Sequence, residues 1–370
     1  MNSKYSELAG KQILVTGATG FIGGRLVERL VLECNAQVRA VVRDFARLPR
    51  IARFPIEIIR GDVTNFNDIQ RAVDSCDIVF DCSYDKSGDV KGTKNVMEAA
   101  LQANIKRVVH LSSLMVYGIT PDGDLDETAP RRALDDIYSE SKLESEKLVF
   151  DYVKRYILPV VVLQPTGVYG PYSDSYCINI LNQFKKERRI LVNDGDGLFN
   201  SVYIDDVISA MLLAAITDKA VGEAFLISGE AVTWREFYSR FEQMLGACGT
   251  VAMSISEAEE YYAKIKKQKR AKQRIRFAKN IARAALPDGI KRSLKRKYRN
   301  SDRVESHIII DNMESKPIYP EAPWALPFYA SKTTVKIDKA KRILGFEPEF
   351  SFDYGMQLTK QWASWANLLD

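Results

Sequence analysis

The first half of the chain alternates two hydrophobic patterns. Short, mainly apolar runs at Lys11–Val15, Gln37–Val42, Ile56–Ile59, Ile78–Phe80, Val108–Leu111 and Val160–Leu163 read as buried parallel strands. Between them, apolar residues recur at helical spacing: Ile22, Leu26 and Leu30 over 21–32, and Leu143, Leu148, Val149 and Val153 over 138–156. Strand followed by helix from residue 11 to about 165 predicts an α/β chain with a doubly wound parallel sheet. Beyond Gly170 the pattern is irregular, with turns at Asp194-Gly195-Asp196-Gly197 and one more strand at Ala224–Ser228. Thr233 and Glu236 then form a capping box before Phe237, Phe241 and Leu245, predicting a helix there.

The turn after the first strand reads Thr16-Gly17-Ala18-Thr19-Gly20-Phe21-Ile22-Gly23. Gly17, Gly20 and Gly23 let the backbone turn tightly and approach a pyrophosphate, whose charge is favoured by free N–H groups at a helix start. A lone glycine repeat means little, but this one follows a strand, opens a helix and precedes a second strand. That second strand ends in Val42-Arg43, without the acid that would hold the adenine ribose of NAD. The guanidinium of Arg43 favours a 2′-phosphate, hence NADP over NAD; the plain alternative is a solvated strand-end charge.

About 120 residues further on, Tyr138-Ser139-Glu140-Ser141-Lys142 places a phenol and an ammonium at i and i+4, on one helix face. A tyrosine of ordinary pKa, about 10, is a poor base at neutral pH, and a neighbouring ammonium favours its phenolate. The strand Arg107–Leu111 ends in Ser112-Ser113, a hydroxyl that can hold a substrate oxygen while a proton leaves. Such a Tyr–Lys pair alone is usually a surface helix pair; the strand and glycine turn upstream change that reading.

With these motifs in place, the chain resembles an extended short-chain dehydrogenase/reductase of the NAD-dependent epimerase/dehydratase group. The resemblance covers residues 10 to about 245 and resumes from about 333 to 365. It rests also on Gly61-Asp62-Val63, Gly92–Ala100, Ser112–Gly118, Asp126–Pro130, Val168–Pro171, Tyr203–Val207 and Leu344–Pro348. It implies a Rossmann core over 1–170, with further core elements within 200–230, and a smaller substrate-binding lobe over 171–370. It implies Ser113, Tyr138 and Lys142 as the catalytic set, Tyr138 being the acid/base and Lys142 also binding the nicotinamide ribose. Phe21 and Ile22 belong to the cofactor turn, Asp62 and Val63 would contact the adenine, and Pro165 would lie beside the nicotinamide. A homodimer is implied through the helices around Lys94–Gln102 and Tyr138–Tyr156.

The departures also inform. Leu114 and Met115 stand where 4,6-dehydratases of the family carry Asp-Glu, which argues against dehydratase chemistry. Phe199 or Asn200 replaces an Arg that holds a nucleotide diphosphate in many members. Gln164-Pro165 replaces Arg-Pro, and Asp81-Cys82-Ser83-Tyr84 replaces His-x-Ala-Ala. Each departure weakens the expectation of an ordinary nucleotide sugar.

Charge adds one unusual piece. Residues 264–303 hold 17 Lys or Arg against Asp288 and Asp302, about +15, so the remainder of the chain is about −10 against a net of +5. Ile275, Ala278, Ala282 and Ala285, then Ile290, Leu294 and Tyr298, recur at helical spacing on either side of Pro287-Asp288-Gly289. They predict two basic helices in an insertion over 250–305. A solvated hairpin is the plain reading; contact with an anionic membrane is the sharper one. Nucleic acid ranks last, because interleaved aromatics and a reading motif are missing. The Pro-rich stretch 317–327, with Trp324 and Phe328, reads as an extended connector lining the cleft.

No apolar run is long enough to span a bilayer and the N-terminus lacks a secretory pattern. Five scattered cysteines fit a reducing cytoplasm, with peripheral contact at the inner face of the membrane as the variant. Two distant histidines, His110 and His307, leave no metal site in prospect, and His110 reads as strand packing. The expected function is an NAD(P)-dependent epimerase or oxidoreductase acting on a sugar carbinol, nucleotide- or lipid-linked, in polysaccharide or glycoconjugate synthesis. The alternative is an NADPH-dependent reductase or dehydrogenase of an apolar ketone, sterol- or flavonoid-like, at a membrane surface. A non-catalytic scaffold is a third reading, opposed by the intact Ser113, Tyr138 and Lys142.

Overall fold

The computed structural model describes residues 3–85, 88–119, 121–284 and 316–370. Its strands, in chain order, are β1 (Gln12–Thr16), β2 (Gln37–Val42), β3 (Glu57–Arg60), β4 (Ile78–Asp81), β5 (Arg107–Leu111), β6 (Gly123–Leu125), β7 (Val160–Pro165), β8 (Gly167–Tyr169), β9 (Arg189–Val192), β10 (Leu198–Tyr203), β11 (Ala224–Ile227), β12 (Ala231–Thr233), β13 (Thr250–Met253) and β14 (Thr333–Val335). Helices α1 (Phe21–Leu32), α2 (Phe66–Val73), α3 (Asp89–Gln102), α4 (Ile137–Tyr156), α5 (Asn179–Phe184), α6 (Ile204–Ile216), α7 (Trp234–Leu245) and α8 (Ile255–Ala284) lie between them.

Seven strands form one parallel sheet in the order β11-β7-β5-β4-β1-β2-β3. The chain runs outward from β1 through β2 and β3, then crosses back to β4 on the other side. That reversal opens a crevice at the carboxyl ends of β1 and β4. The apolar runs of the central strands are explained by burial on both faces. Ile13, Val15, Val109, Val161 and Leu163 enter one core, whereas Leu14, Val108, Val160 and Val162 enter the other. Successive side chains of a strand point oppositely, so a strand covered on both sides needs apolar residues on both faces, except where a buried polar group has a partner.

The first of these cores continues without a break through Val168, Tyr169, Phe199, Phe237 and Phe352 into the smaller sheets. Those are β12-β10-β8, β13-β9 and β14-β6. The Tyr203–Val207 motif locks the two parts together. Asp205, at the start of α6, accepts from Arg25 Nε of α1 at 2.7 Å. Asp206 accepts from the backbone N–H groups of Glu349 and Phe350 at 2.7 and 3.3 Å. Burial pushes the Asp206 carboxyl up to about 6, although both N–H bonds pull the other way.

Thr233 caps α7 by accepting from Glu236 N at 3.1 Å, as its sequence requires. Helix α8 opens on an unforeseen reciprocal cap between Ser254 and Glu257. Its first turns are anchored by Ala258 against Ile190, Val192 and Leu326, and by Tyr261, whose hydroxyl donates to Ile318 O at 3.1 Å. From Lys266 to Arg274 every residue is exposed. At 30 residues the helix is about 45 Å long. The second basic helix expected around 290–298 lies outside the described residues. The Pro-rich stretch is not extended throughout: Pro323–Ala325 makes a 3-10 turn and Leu326–Ala330 a short helix. Pro323 at the first position of one and Pro327 at the second position of the other help start them, because a proline's fixed φ suits a helix start and its missing N–H costs nothing there. Among the described residues, no helix is long and apolar enough to cross a membrane.

Candidate active site

A cavity of about 960 Å³ opens along the carboxyl ends of the central strands, and all twelve residues singled out from the sequence line it. They are Gly17, Gly20, Phe21, Ile22, Gly23, Arg43, Asp62, Val63, Ser113, Tyr138, Lys142 and Pro165. At one end lies the glycine turn. Gly17 has φ +64, and a Cβ there would come within 2.6 Å of the Cys82 carbonyl oxygen. A Cβ on Gly23 would reach 2.3 Å from the Gly17 carbonyl oxygen. Gly20, the N-cap of α1, offers no side-chain cap, and the first turn has no acid. The first N–H groups are therefore left for an anion held on a backbone too close-packed to carry side chains. These features fit a dinucleotide pyrophosphate.

Arg43 stands on the rim beside this turn. Its Nη1 donates to Asp85 Oδ2 at 2.6 Å and to Asp62 Oδ2 at 3.4 Å, while the side chain stays 62% exposed. Arg47 and Asp44 line the same rim. Asp62 also accepts from the backbone and hydroxyl of Thr64. Burial would raise that carboxyl, but these bonds and Arg43 hold it below the usual range.

At the centre, Asp136 caps α4. Its Oδ1 accepts from the N–H groups of Tyr138 and Ser139 at 2.9 and 3.1 Å, which fixes Tyr138 in the first turn. One turn on, the Lys142 ammonium is buried. It lies 3.4 Å from Leu111 O, 3.6 Å from Asp89 Oδ2 and 5.3 Å from the centre of the Tyr84 ring. Tyr84 in turn meets the Tyr138 ring edge-on at 5.1 Å. Ser113 Oγ accepts from Met115 N at 3.2 Å, which leaves the hydroxyl proton to be donated. The arrangement brings a phenol, an ammonium and a hydroxyl donor into the lining of one cavity, groups that a carbinol–ketone interconversion can use.

A buried polar network holds that lining. Glu146, one turn beyond Lys142, accepts from Ser112 Oγ at 2.6 Å, from Gln164 Nε2 at 2.8 Å and from Arg131 Nε at 2.5 Å. Tyr117 donates to the same Gln164 at 2.9 Å. The ends of β5 and β7 are thereby pinned to α4. His110, expected only to pack, is instead paired: its Nδ1 is 2.9 Å from Asp81 Oδ2, and Thr16 and Ser83 also donate to Asp81. Burial would raise the Asp81 carboxyl, but these partners hold it below its usual range.

The far end of the cavity is lined by Leu114, Met115, Ile119, Leu198, Phe199, Trp324, Phe328 and Tyr329, with Ser173, Asp174, Ser175, Ser331 and Thr333 as the polar side chains among them. Phe199 is wedged among Trp234, Phe237 and Tyr176, with ring centres 4.6, 4.2 and 5.0 Å away. Asn200 spends its amide on Thr333 O and Val335 N. Among the described lining residues the cations are Arg43, Arg47 and Lys142. Sequence reasoning missed Asp89, Tyr84, Asp136 and Tyr176. Only Asp136 left a signal, as an Asp two residues before the phenol at a helix start.

Against known proteins, the NAD dependent epimerase/dehydratase family model matches residues 13–228. The chain is 25% identical to the decarboxylating sterol-4-alpha-carboxylate 3-dehydrogenase of Candida albicans, over 95% of its own length and 97% of the relative's. It is 30% identical to sterol demethylase protein B of Methylococcus capsulatus, over 63% of its own length and 74% of that protein's. Among solved structures, the UDP-glucuronic acid 4-epimerase of Bacillus cereus in complex with NAD superposes with a TM-score of 0.68 at 20% identity, covering 97% of this chain and 98% of that one. The fold is what that likeness carries. A family match over more than half the chain, on a cavity lined by the family's motifs, places this protein in the NAD-dependent epimerase/dehydratase family.

Proposed function

We propose that the protein interconverts a secondary alcohol and its ketone with a nicotinamide dinucleotide, and that its substrate is largely apolar. The observation that carries the substrate class is the far end of the cavity. Leu114, Met115, Ile119, Leu198, Phe199, Trp324, Phe328 and Tyr329 outnumber the polar side chains beside them, no Arg or Lys lies among them, and the place of a diphosphate-binding Arg falls to Phe199 or to Asn200, which is already committed. A carbohydrate needs several convergent polar groups; an apolar ketone needs one or two. The sterol-acting names of two sequence relatives support the same choice.

On this reading Gly17, Gly20, Phe21, Ile22 and Gly23 hold the pyrophosphate, Asp62 and Val63 the adenosine, Pro165 and Lys142 the nicotinamide end. Arg43 and Arg47 favour the 2′-phosphate of NADP. The dinucleotide, when bound, supplies the hydride donor or acceptor. Ser113 donates a hydrogen bond to the reacting oxygen. Tyr138 gives that oxygen a proton in reduction and takes it in oxidation, with the Lys142 ammonium stabilising the phenolate. Leu114 and Met115 supply neither acid nor base, which supports chemistry without water elimination. Residues 171–370, apart from the core elements α6 and β11 within 200–230, form the substrate side, the chain pairs as a homodimer through α3 and α4, and segment 264–303 contacts anionic lipid.

A second reading, epimerisation of a nucleotide sugar, is supported by the match to the epimerase/dehydratase family. Stoichiometry separates the two. The purified protein should oxidise NADPH mole for mole with a 3-ketosteroid, and Tyr138→Phe should slow this by about 10²-fold or more. Epimerisation of UDP-glucuronic acid with no net change in cofactor absorbance would overturn the apolar reading. An undiminished rate in Tyr138→Phe would overturn both.

A further inference from the structure

The Lys142 ammonium has a counter-ion that is not the phenol. Asp89 opens α3, its side chain is 2% exposed, and its Oδ2 lies 3.6 Å from Lys142 Nζ. The same oxygen accepts from Ser145 Oγ at 3.3 Å, so the carboxylate is fixed between two residues of α4. The ammonium also sits over the Tyr84 ring, which touches the ring of Tyr138.

We propose that Asp89 is a positioning residue that holds Lys142 and withholds part of its charge from Tyr138, keeping the phenol protonated and poised to give a proton to a ketone. This rests on the reading of Tyr138 as the proton carrier and deepens it: the site is biased towards reduction. An unpaired buried ammonium beside a phenol would favour the phenolate, the form suited to oxidation. A carboxylate against that ammonium offsets the effect. Burial and the nearby Asp81 lift the Asp89 carboxyl above its usual range, and Lys142, His110 and Ser145 offset this only in part, so the pairing rests on the 3.6 Å approach of the two side chains.

The other charged or titratable groups around the pair already have partners. Asp81 of β4 is bonded to His110 of β5 and to Thr16 of β1. Asp136 is occupied by the N–H groups at the start of α4. Tyr84 and Tyr176 are phenols, neutral over the physiological range. Asp89 is thus the carboxylate in direct contact with the ammonium.

The test is the ultraviolet titration of tyrosinate in the cofactor-free full chain, with Tyr138 isolated by subtracting the Tyr138→Phe curve within each background. In Asp89→Asn the Tyr138 signal should appear at a pH about one unit lower than in the wild type. Asp89→Glu should restore the wild-type curve. In a Lys142→Met background, Asp89→Asn should shift nothing, because its effect runs through the ammonium. Asp89→Ser serves as a second neutral variant if the amide does not fold. An unmoved signal in a folded neutral variant, or an equal shift without Lys142, would overturn the proposal. The measurement needs no substrate. An error about Tyr138 itself would show separately, as full turnover in Tyr138→Phe.

Discussion

Tyr138 owes its position to Asp136, two residues before it. The carboxylate caps the helix, orients its first turn and so aims the phenol into the cavity; a cap of this kind contributes about 1 kcal/mol. Arg43 is the residue on which cofactor choice turns. Its guanidinium is exposed enough to meet a phosphate but is already paired with Asp85 and Asp62. Arg43→Ala should therefore weaken NADPH binding several-fold while leaving NADH binding within about twofold, as read by fluorescence titration with each. Equal losses for both would show that Arg43 serves only the rim. At this scale the sequence was legible wherever local spacing dictates the chemistry. Three glycines in one turn and a phenol four residues before a lysine admit few other uses. Asp89, Tyr84 and Tyr176 were illegible, because their meaning lies in contacts between segments distant in sequence.

Elements were legible where their periodicity was complete. The six apolar runs became neighbouring strands because a parallel sheet covered on both faces demands them, and α1 and β2 begin and end where their patterns do. The connector with Trp324 and Phe328 was read as extended on its prolines, yet Pro323 and Pro327 sit at helix starts. Helix α6 carries a testable charge. Asp206 has its carboxyl raised to about 6 by burial, against about 3.9 in an unfolded chain. The folded state then binds more protons between those values, so this group's contribution falls as pH rises from about 4 through 6. Asp206→Asn removes that dependence. Relative to the variant, the wild type should lose roughly 1–3 kcal/mol of unfolding free energy between about pH 4 and 7, measured by denaturant melts. A difference that stays flat with pH would refute the assignment.

The molecule as a whole is electrically lopsided, with about +15 in residues 264–303 and about −10 elsewhere. Where it is described, that segment lies on α8, anchored by its first turns and exposed from Lys266 to Arg274. The full chain should co-sediment with phosphatidylglycerol vesicles and not with phosphatidylcholine, and salt should release it. Replacing Lys264, Lys266, Lys267 and Lys269 by Glu should abolish the binding, since each near-surface cation contributes about 1 kcal/mol. Binding to both lipids, or to neither, would contradict a role at an anionic surface. Such a surface would also present an apolar substrate to the aromatic end of the cavity. The decisive measurement is a crystal structure of the protein with NADPH. The nicotinamide should lie against Pro165, with the Tyr138 hydroxyl and Ser113 Oγ converging within about 3–4 Å of a single point over the ring. A dinucleotide bound away from the glycine turn, or a Tyr138 side chain turned from the nicotinamide, would contradict the chemistry proposed for this site.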